Sequence, residues 1–302
     1  MKRKFYSNGK LLMTGEYAVL DGAKAWAIPT KYGQSLIVVK TDSNKIEWKS
    51  LDEKDKVWFE AIYDLESMTE ISSTNSEIST TLLEILIAAQ KLNPHFLTDG
   101  MGYVVESKLT FPKDWGLGSS STLINNIAQW ATINPYQLLE NTFGGSGYDI
   151  ACAQHNKPIL FEIKKGLPTV LELKRSPAFI KSLFFVYLNK KQNSRDAIKK
   201  YYSEEIDRKE LSKTISQITS RMISTTSLDD FESLMTWHEN VISYALKTPT
   251  IKTKLFSDYP RAIKSLGAWG GDFILATGDE SSMAYFNQKG YSTIIPYSEI
   301  IL

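Results

Sequence analysis

The chain of 302 residues is close to neutral, with 35 basic and 34 acidic residues, and its 42% hydrophobic and 12% aromatic content is that of a globular protein able to bury a sizeable core. This balance excludes the basic face that nucleic-acid binding needs, since Lys190-Lys191 and Lys199-Lys200 are short clusters of the solvated kind. Cys152 is the only cysteine, which excludes an intrachain disulfide and a thiolate-ligated zinc and fits a reducing compartment.

The length predicts two domains. The N-terminal stretch "MKRKFYSNGKLLMTGEY" begins basic, but Ser7 to Lys10 interrupt it before a signal-peptide core can form. No run reaches the roughly 18 apolar residues of a membrane span. The expectation is a cytoplasmic protein with neither membrane nor nucleic acid as a partner. "SLIVVKTDSNKIEWKS" reads as two strands around an Asp-Ser-Asn turn. Ile78, Leu82, Leu83, Ile85, Leu86 and Ala89 form a helical stripe, and "MGYVVESKLTF" is a strand ending before Pro112. "SLFFVYLN" is a second apolar strand, followed by a helix that Ser194 could cap, and two long helices flank "TTSLDD". The Gly- and Pro-containing stretch "KKGLPTVLELKRSPAF" places a domain boundary near Gly166.

Between the strand and the helix that follows it lies "PKDWGLGSSST". A loop entering a helix N-terminus aims unpaired N–H groups at one point, the helix dipole adds positive character, and glycines let an anion approach the backbone. Phosphate suits such a place, although a lone loop of this kind reads equally as a turn with a serine cap. No Walker lysine follows, so it is not a P-loop. "GGSGYDIA" sets Asp149 just beyond a flexible turn, where by itself it could simply cap a helix, and "LGAWGGDFILA" sets three glycines before an apolar run. "NGKLLMTGEYAVLDG" adds Lys10, by default a surface residue, and Glu16.

Taken together, these four segments resemble the GHMP kinase superfamily, and most of all its mevalonate kinase and phosphomevalonate kinase branch. "GKLLMTGEYAVLDG" is similar to the branch's first motif, "PKDWGLGSSST" to its phosphate-binding motif, "GSGYDIA" to the segment of its catalytic aspartate and "KSLGAWGGD" to its C-terminal glycine loop. They occur in the family's order across about residues 5 to 276. The resemblance implies an α+β fold of two domains, an N-terminal nucleotide-binding domain at 1–166 and a C-terminal ferredoxin-like domain at 167–302. It implies ATP and Mg2+ as cofactors and a small-molecule substrate, a mevalonate- or phosphomevalonate-like acceptor phosphorylated by a monomer or homodimer.

By the same resemblance Gly116, Leu117, Gly118, Ser119, Ser120 and Ser121 bind the phosphates, and Ser120 contacts the metal. Asp149 is the catalytic base and Lys10 its companion. Lys264, Gly267, Ala268, Gly270, Gly271 and Ser194 lie on the substrate side. Two departures stand out. Trp269 occupies a position where the family has glycine, and the acidic metal ligand falls to Glu140, which is closer to Asp149 than the family's spacing. Histidine chemistry finds no support at His95, His155 or His238. The alternatives are a nucleotide- or metabolite-binding homologue without turnover, and a diphosphomevalonate decarboxylase-like enzyme, which Lys10 disfavours.

Overall fold

The computed structural model describes residues 2–174, 177–191 and 194–302, the side chains of residues 194 and 195 excepted. Two compact units divide the chain in an interleaved way. The first takes residues up to Gly9, then Tyr32–Lys113 and Leu117–Gln154, and the second takes Lys10–Lys31, Asp114–Gly116 and His155–Leu302. Among the described residues no helix is long and apolar enough to cross a membrane.

The first unit is built on period-2 patterning. Strand β1 (Lys2–Thr14) pairs with β2 (Ala25–Thr41), and the order then runs β5-β4-β3-β6-β2 through β3 (Lys45–Leu51), β4 (Val57–Asp64), β5 (Thr69–Ser73) and β6 (Gly102–Leu109). In β3 the residues Ile46, Trp48 and Ser50 point inward, and in β4 Phe59, Ala61 and Tyr63 do the same. β3 runs parallel to β6, and the other pairings in this run are antiparallel. Helix α1 (Ser76–Leu92) separates β5 from β6, capped by Asn75, whose side chain accepts from Ile78 N at 3.0 Å. It buries Leu82, Ile85, Leu86 and Ala89 in the same core as the strands. Helices α2 (Ser119–Ala131), α3 (Pro135–Glu140) and α4 (Tyr148–Gln154) complete the unit.

Helix α2 is buried on more than its apolar stripe. Ile124, Ile127, Ala128 and Ala131 join the core, but Ser121, Thr122, Asn125 and Asn126 are buried as well. Buried polar groups need partners, and here each has one. Thr122 Oγ1 donates to Gln34 Oε1 at 2.6 Å, and Gln34 Nε2 donates to Ser107 Oγ at 2.8 Å. Asn126 Nδ2 donates to the Gln34 carbonyl at 2.9 Å and its Oδ1 accepts from Ser7 Oγ at 2.8 Å. Asn125 Nδ2 donates to Ser7 Oγ at 2.8 Å and its Oδ1 accepts from Gln154 Nε2 at 3.1 Å. The roll of α2 about its axis is therefore fixed by directional bonds.

In the second unit Ala25–Ala27 of β2 pair with β7 (Ile159–Lys164), which forms a hairpin with β8 (Leu167–Glu172) turning at Lys165 and Gly166, both at positive φ. A separate four-stranded antiparallel sheet has the order β10-β11-β9-β12, from β9 (Leu183–Tyr187), β10 (Ile263–Ser265), β11 (Phe273–Thr277) and β12 (Ile294–Pro296). Every residue of β9 and β11 is buried. Around them lie α5 (Ser194–Ser203), α6 (Arg208–Ser224), α7 (Leu228–Ala245), α8 (Ile251–Leu255), α9 (Glu280–Gln288) and α10 (Tyr297–Ile300). Asp207 caps α6, and Ser227 of "TTSLDD" caps α7.

At the centre of this unit sits a buried ionic cluster. Lys264 Nζ pairs with Glu16 Oε1 and donates to the Ser265 carbonyl at 2.9 Å, and His238 Nε2 lies 3.1 Å from Glu16 Oε2. Glu239 accepts from Ser265 N at 2.9 Å and from Ser265 Oγ at 3.2 Å. Burial pushes the Glu16 carboxyl up, with Lys264 pulling the other way, and pushes Glu239 up to about 8. Burial, with Lys264 adding to it, drives His238 well below the usual imidazole range.

Removing one member of a buried pair strands the other. Lys264→Met is expected to cost about 3–5 kcal/mol in urea unfolding, and adding Glu16→Gln should recover much of that loss. Recovery of none of it would show that the pair is not the source. The pH dependence has opposite signs on the two sides of the cluster. Glu239, raised in the fold from 4.5 to about 8, contributes stability that is complete below about pH 4.5 and lost as pH rises through about 8, and the raised Glu16 carboxyl acts in the same direction. The depressed imidazole contributes stability above about 6.5 that is lost as pH falls. Between about pH 6.5 and 8 the carboxyls act alone, so Tm should decline with pH, and Glu239→Gln should flatten that decline. An unchanged slope in the variant would refute this assignment.

Candidate functional site

The glycine-serine loop has the geometry that its composition suggests. Gly116 and Gly118 both have positive φ, +67° and +90°, and Gly118 is the N-cap residue of α2. A side chain at 116 would also collide with the Asp272 carboxylate, since a Cβ there would lie 2.5 Å from Asp272 Cγ. Because glycine has no side chain, the first turn of α2 has no side-chain cap. Ser119 is half-buried and Ser120 exposed, while Leu117 is fully buried and anchors the loop. The open N–H groups, with the positive end of the helix dipole, form a cradle that fits an anionic phosphate.

Ser121 differs from its neighbours. It is buried, and its hydroxyl donates to Asp149 Oδ2, while Asp149 Oδ1 accepts from Ile150 N at 3.0 Å. Asp149 therefore sits in the first turn of α4, held against the first turn of α2. In the second unit Lys10 Nζ donates to the Gly116 carbonyl at 2.8 Å, so the first-motif lysine meets the beginning of the loop.

The C-terminal glycine loop is also tied to the first motif. Tyr17 Oη donates to the Ala268 carbonyl at 2.7 Å, and Gly267 and Gly270 have positive φ. So does Trp269, at +58°, a conformation that favours glycine; its side chain is buried. Gly267 stands open, with space for a side chain. Lys264, expected on the substrate side, is wholly interior and engaged with Glu16 and the Ser265 carbonyl. The Ser194 side chain lies outside the described residues. Glu140 ends α3 with its side chain in solvent.

Among the described residues no three His, Cys, Asp or Glu side chains gather into a metal cage. The sequence reading found no support for histidine chemistry at His238 and gave no role to Glu239 or Asp272. His238 and Glu239 lie one behind the other on α7 and join the Glu16–Lys264 pair only through tertiary packing. Asp272, beside Gly116, follows the last glycine and is half-buried; its place directly after "WGG" is the only signal that marks it.

No protein-family profile and no curated protein sequence matches the chain. Solved structures do. The mevalonate kinase of Methanococcus jannaschii superposes with a TM-score of 0.67 at 15% identity, covering 98% of this chain and 97% of its own. The phosphomevalonate kinase of Streptococcus pneumoniae, in complex with phosphomevalonate and AMPPNP, gives 0.70 at 14% identity, with 97% and 99% covered. The galactokinase of Lactococcus lactis, in complex with galactose, gives 0.71 at 13% identity, with 99% and 93% covered. Near-complete coverage of both chains in every case means that the α+β architecture, with its large mixed sheet and smaller antiparallel one, is the two-domain fold of the GHMP kinases.

Proposed function

We propose that the chain is an ATP- and Mg2+-dependent phosphotransferase that phosphorylates a hydroxyl or phosphate of a small acceptor of the mevalonate or phosphomevalonate kind. The observation that carries this reading is the uncapped first turn of α2 with the Asp149 carboxylate fixed beside it. Solved structures of this fold in complex with R-mevalonate, with phosphomevalonate and AMPPNP, and with galactose support it.

ATP with Mg2+ would supply the phosphoryl group and offset the charge that develops during its transfer. The loop residues Gly116 to Ser120 hold phosphate oxygens with backbone N–H groups, and Ser120 and Glu140 are the side chains available to the metal. Asp149 orients the acceptor hydroxyl and takes its proton, and the Lys10 ammonium offsets negative charge on the acceptor oxygen. Gly267 to Gly271 and Ser194 lie on the acceptor side. Trp269 stands among them where the resemblance places a glycine, with its indole buried and its backbone at φ +58°.

The test is ADP release over a panel of mevalonate, phosphomevalonate, homoserine and galactose, with two variants beside the parent. Asp149→Asn keeps size but removes charge, and kcat should fall about 100-fold or more with ATP affinity nearly unchanged. Gly118→Val requires a β-branched residue at φ +90° and should abolish ATP binding in calorimetry. ATP binding without ADP release on any acceptor would leave a nucleotide-binding protein, and parental ATP affinity in Gly118→Val would remove the loop from the site.

A further inference from the structure

The three serines that open α2 do not share one task. Ser119 is half-buried and Ser120 exposed, whereas Ser121 is turned inward and its hydroxyl hydrogen is committed to Asp149 Oδ2. The other carboxylate oxygen is taken by Ile150 N–H. Each oxygen thus has one fixed donor and keeps a lone pair for a further partner. One turn farther along α2, Asn125 accepts from Gln154 at the end of α4. Helix α4 is therefore pinned to α2 at both of its ends, but only the Ser121 contact touches the carboxylate itself.

We propose that Ser121 is a positioning residue for Asp149: it sets the torsion of the carboxylate relative to the phosphate-binding turn and does not itself bind phosphate. This rests on the phosphotransferase reading above. A carboxylate held by only the Ile150 N–H can rotate about its side-chain bonds, and the fraction of molecules with an oxygen aimed at the acceptor hydroxyl falls. The burden of that loss is on turnover, because Ser121 is buried against Asp149 whereas Ser120 of the same turn stays exposed.

The experiment compares Ser121→Ala, Asp149→Asn, the double variant and Gln154→Ala in steady-state ADP release, with thermal melts of each. Ser121→Ala should lower kcat about 10-fold with KM for ATP unchanged. The double variant should be no slower than Asp149→Asn alone, since without the charge there is nothing left to position. Gln154→Ala should lower Tm while keeping kcat. A rise in KM for ATP at parental kcat in Ser121→Ala would make Ser121 a phosphate ligand and overturn the proposal. So would full additivity with Asp149→Asn, or an equal loss of kcat in Gln154→Ala. A full-activity Asp149→Asn would instead refute the assignment of the base, and is distinguishable because it leaves the parent's turnover intact.

Discussion

A helix without a side-chain cap must be held by the contacts that its flanks make. At α2 the N-cap residue is glycine in a left-handed conformation, with no side-chain bond to the first-turn N–H groups. Glycine at this position costs a helix roughly a few tenths of a kcal/mol relative to a serine or aspartate cap. The fold compensates from the flank, where four successive inward-facing polar residues, Ser121, Thr122, Asn125 and Asn126, bond to two strands and another helix. Apolar packing alone would tolerate rotation of α2 by tens of degrees, whereas hydrogen bonds of 2.6–2.9 Å to Gln34 and Ser7 do not. The direction in which the open turn points thus depends on buried polar contacts made well behind it.

The second unit meets a similar demand with charge. Its glycine loop contains two non-glycine residues at positive φ, Trp269 and Asp272, and such conformations persist only where the surroundings hold them. The strand leading into that loop is anchored by Lys264 on Glu16 and by Ser265 on Glu239, all buried. Tyr17, the residue next to Glu16, takes the Ala268 carbonyl. A buried ion pair is weak evidence of stability, because desolvation offsets most of its attraction. Its service here is directional: one carboxylate and one ammonium place the first motif and the last loop in register.

Part of this was legible from the residues. The Asp-Ser-Asn turn between β2 and β3, the stripe of α1 and the helices around "TTSLDD" follow from local patterning, and the structure has them. The strands β4 and β5 went unread; Val57–Asp64 and Thr69–Ser73 carry charged residues, and their strand character is completed by pairing, β4 with β3 and β5 with β4. The division of roles among Ser119, Ser120 and Ser121 was not legible either. Three identical side chains in a row carry no local information about which one faces inward, and only the 3.6-residue turn of a helix already docked on its neighbours decides it.

By itself the sequence determined where backbone must be bare and where hydroxyls and carboxylates follow it, because glycine's freedom and a helix's open N–H groups are local properties. With four such segments in a fixed order, it also determined the fold to expect. The tertiary structure alone decided that Lys264 is interior, that His238 and Glu239 join Glu16, and that Ser121 holds Asp149. Those are contacts between residues 28 to 248 positions apart. Burial and pairing at such separations depend on how elements pack, and no window of sequence contains that information.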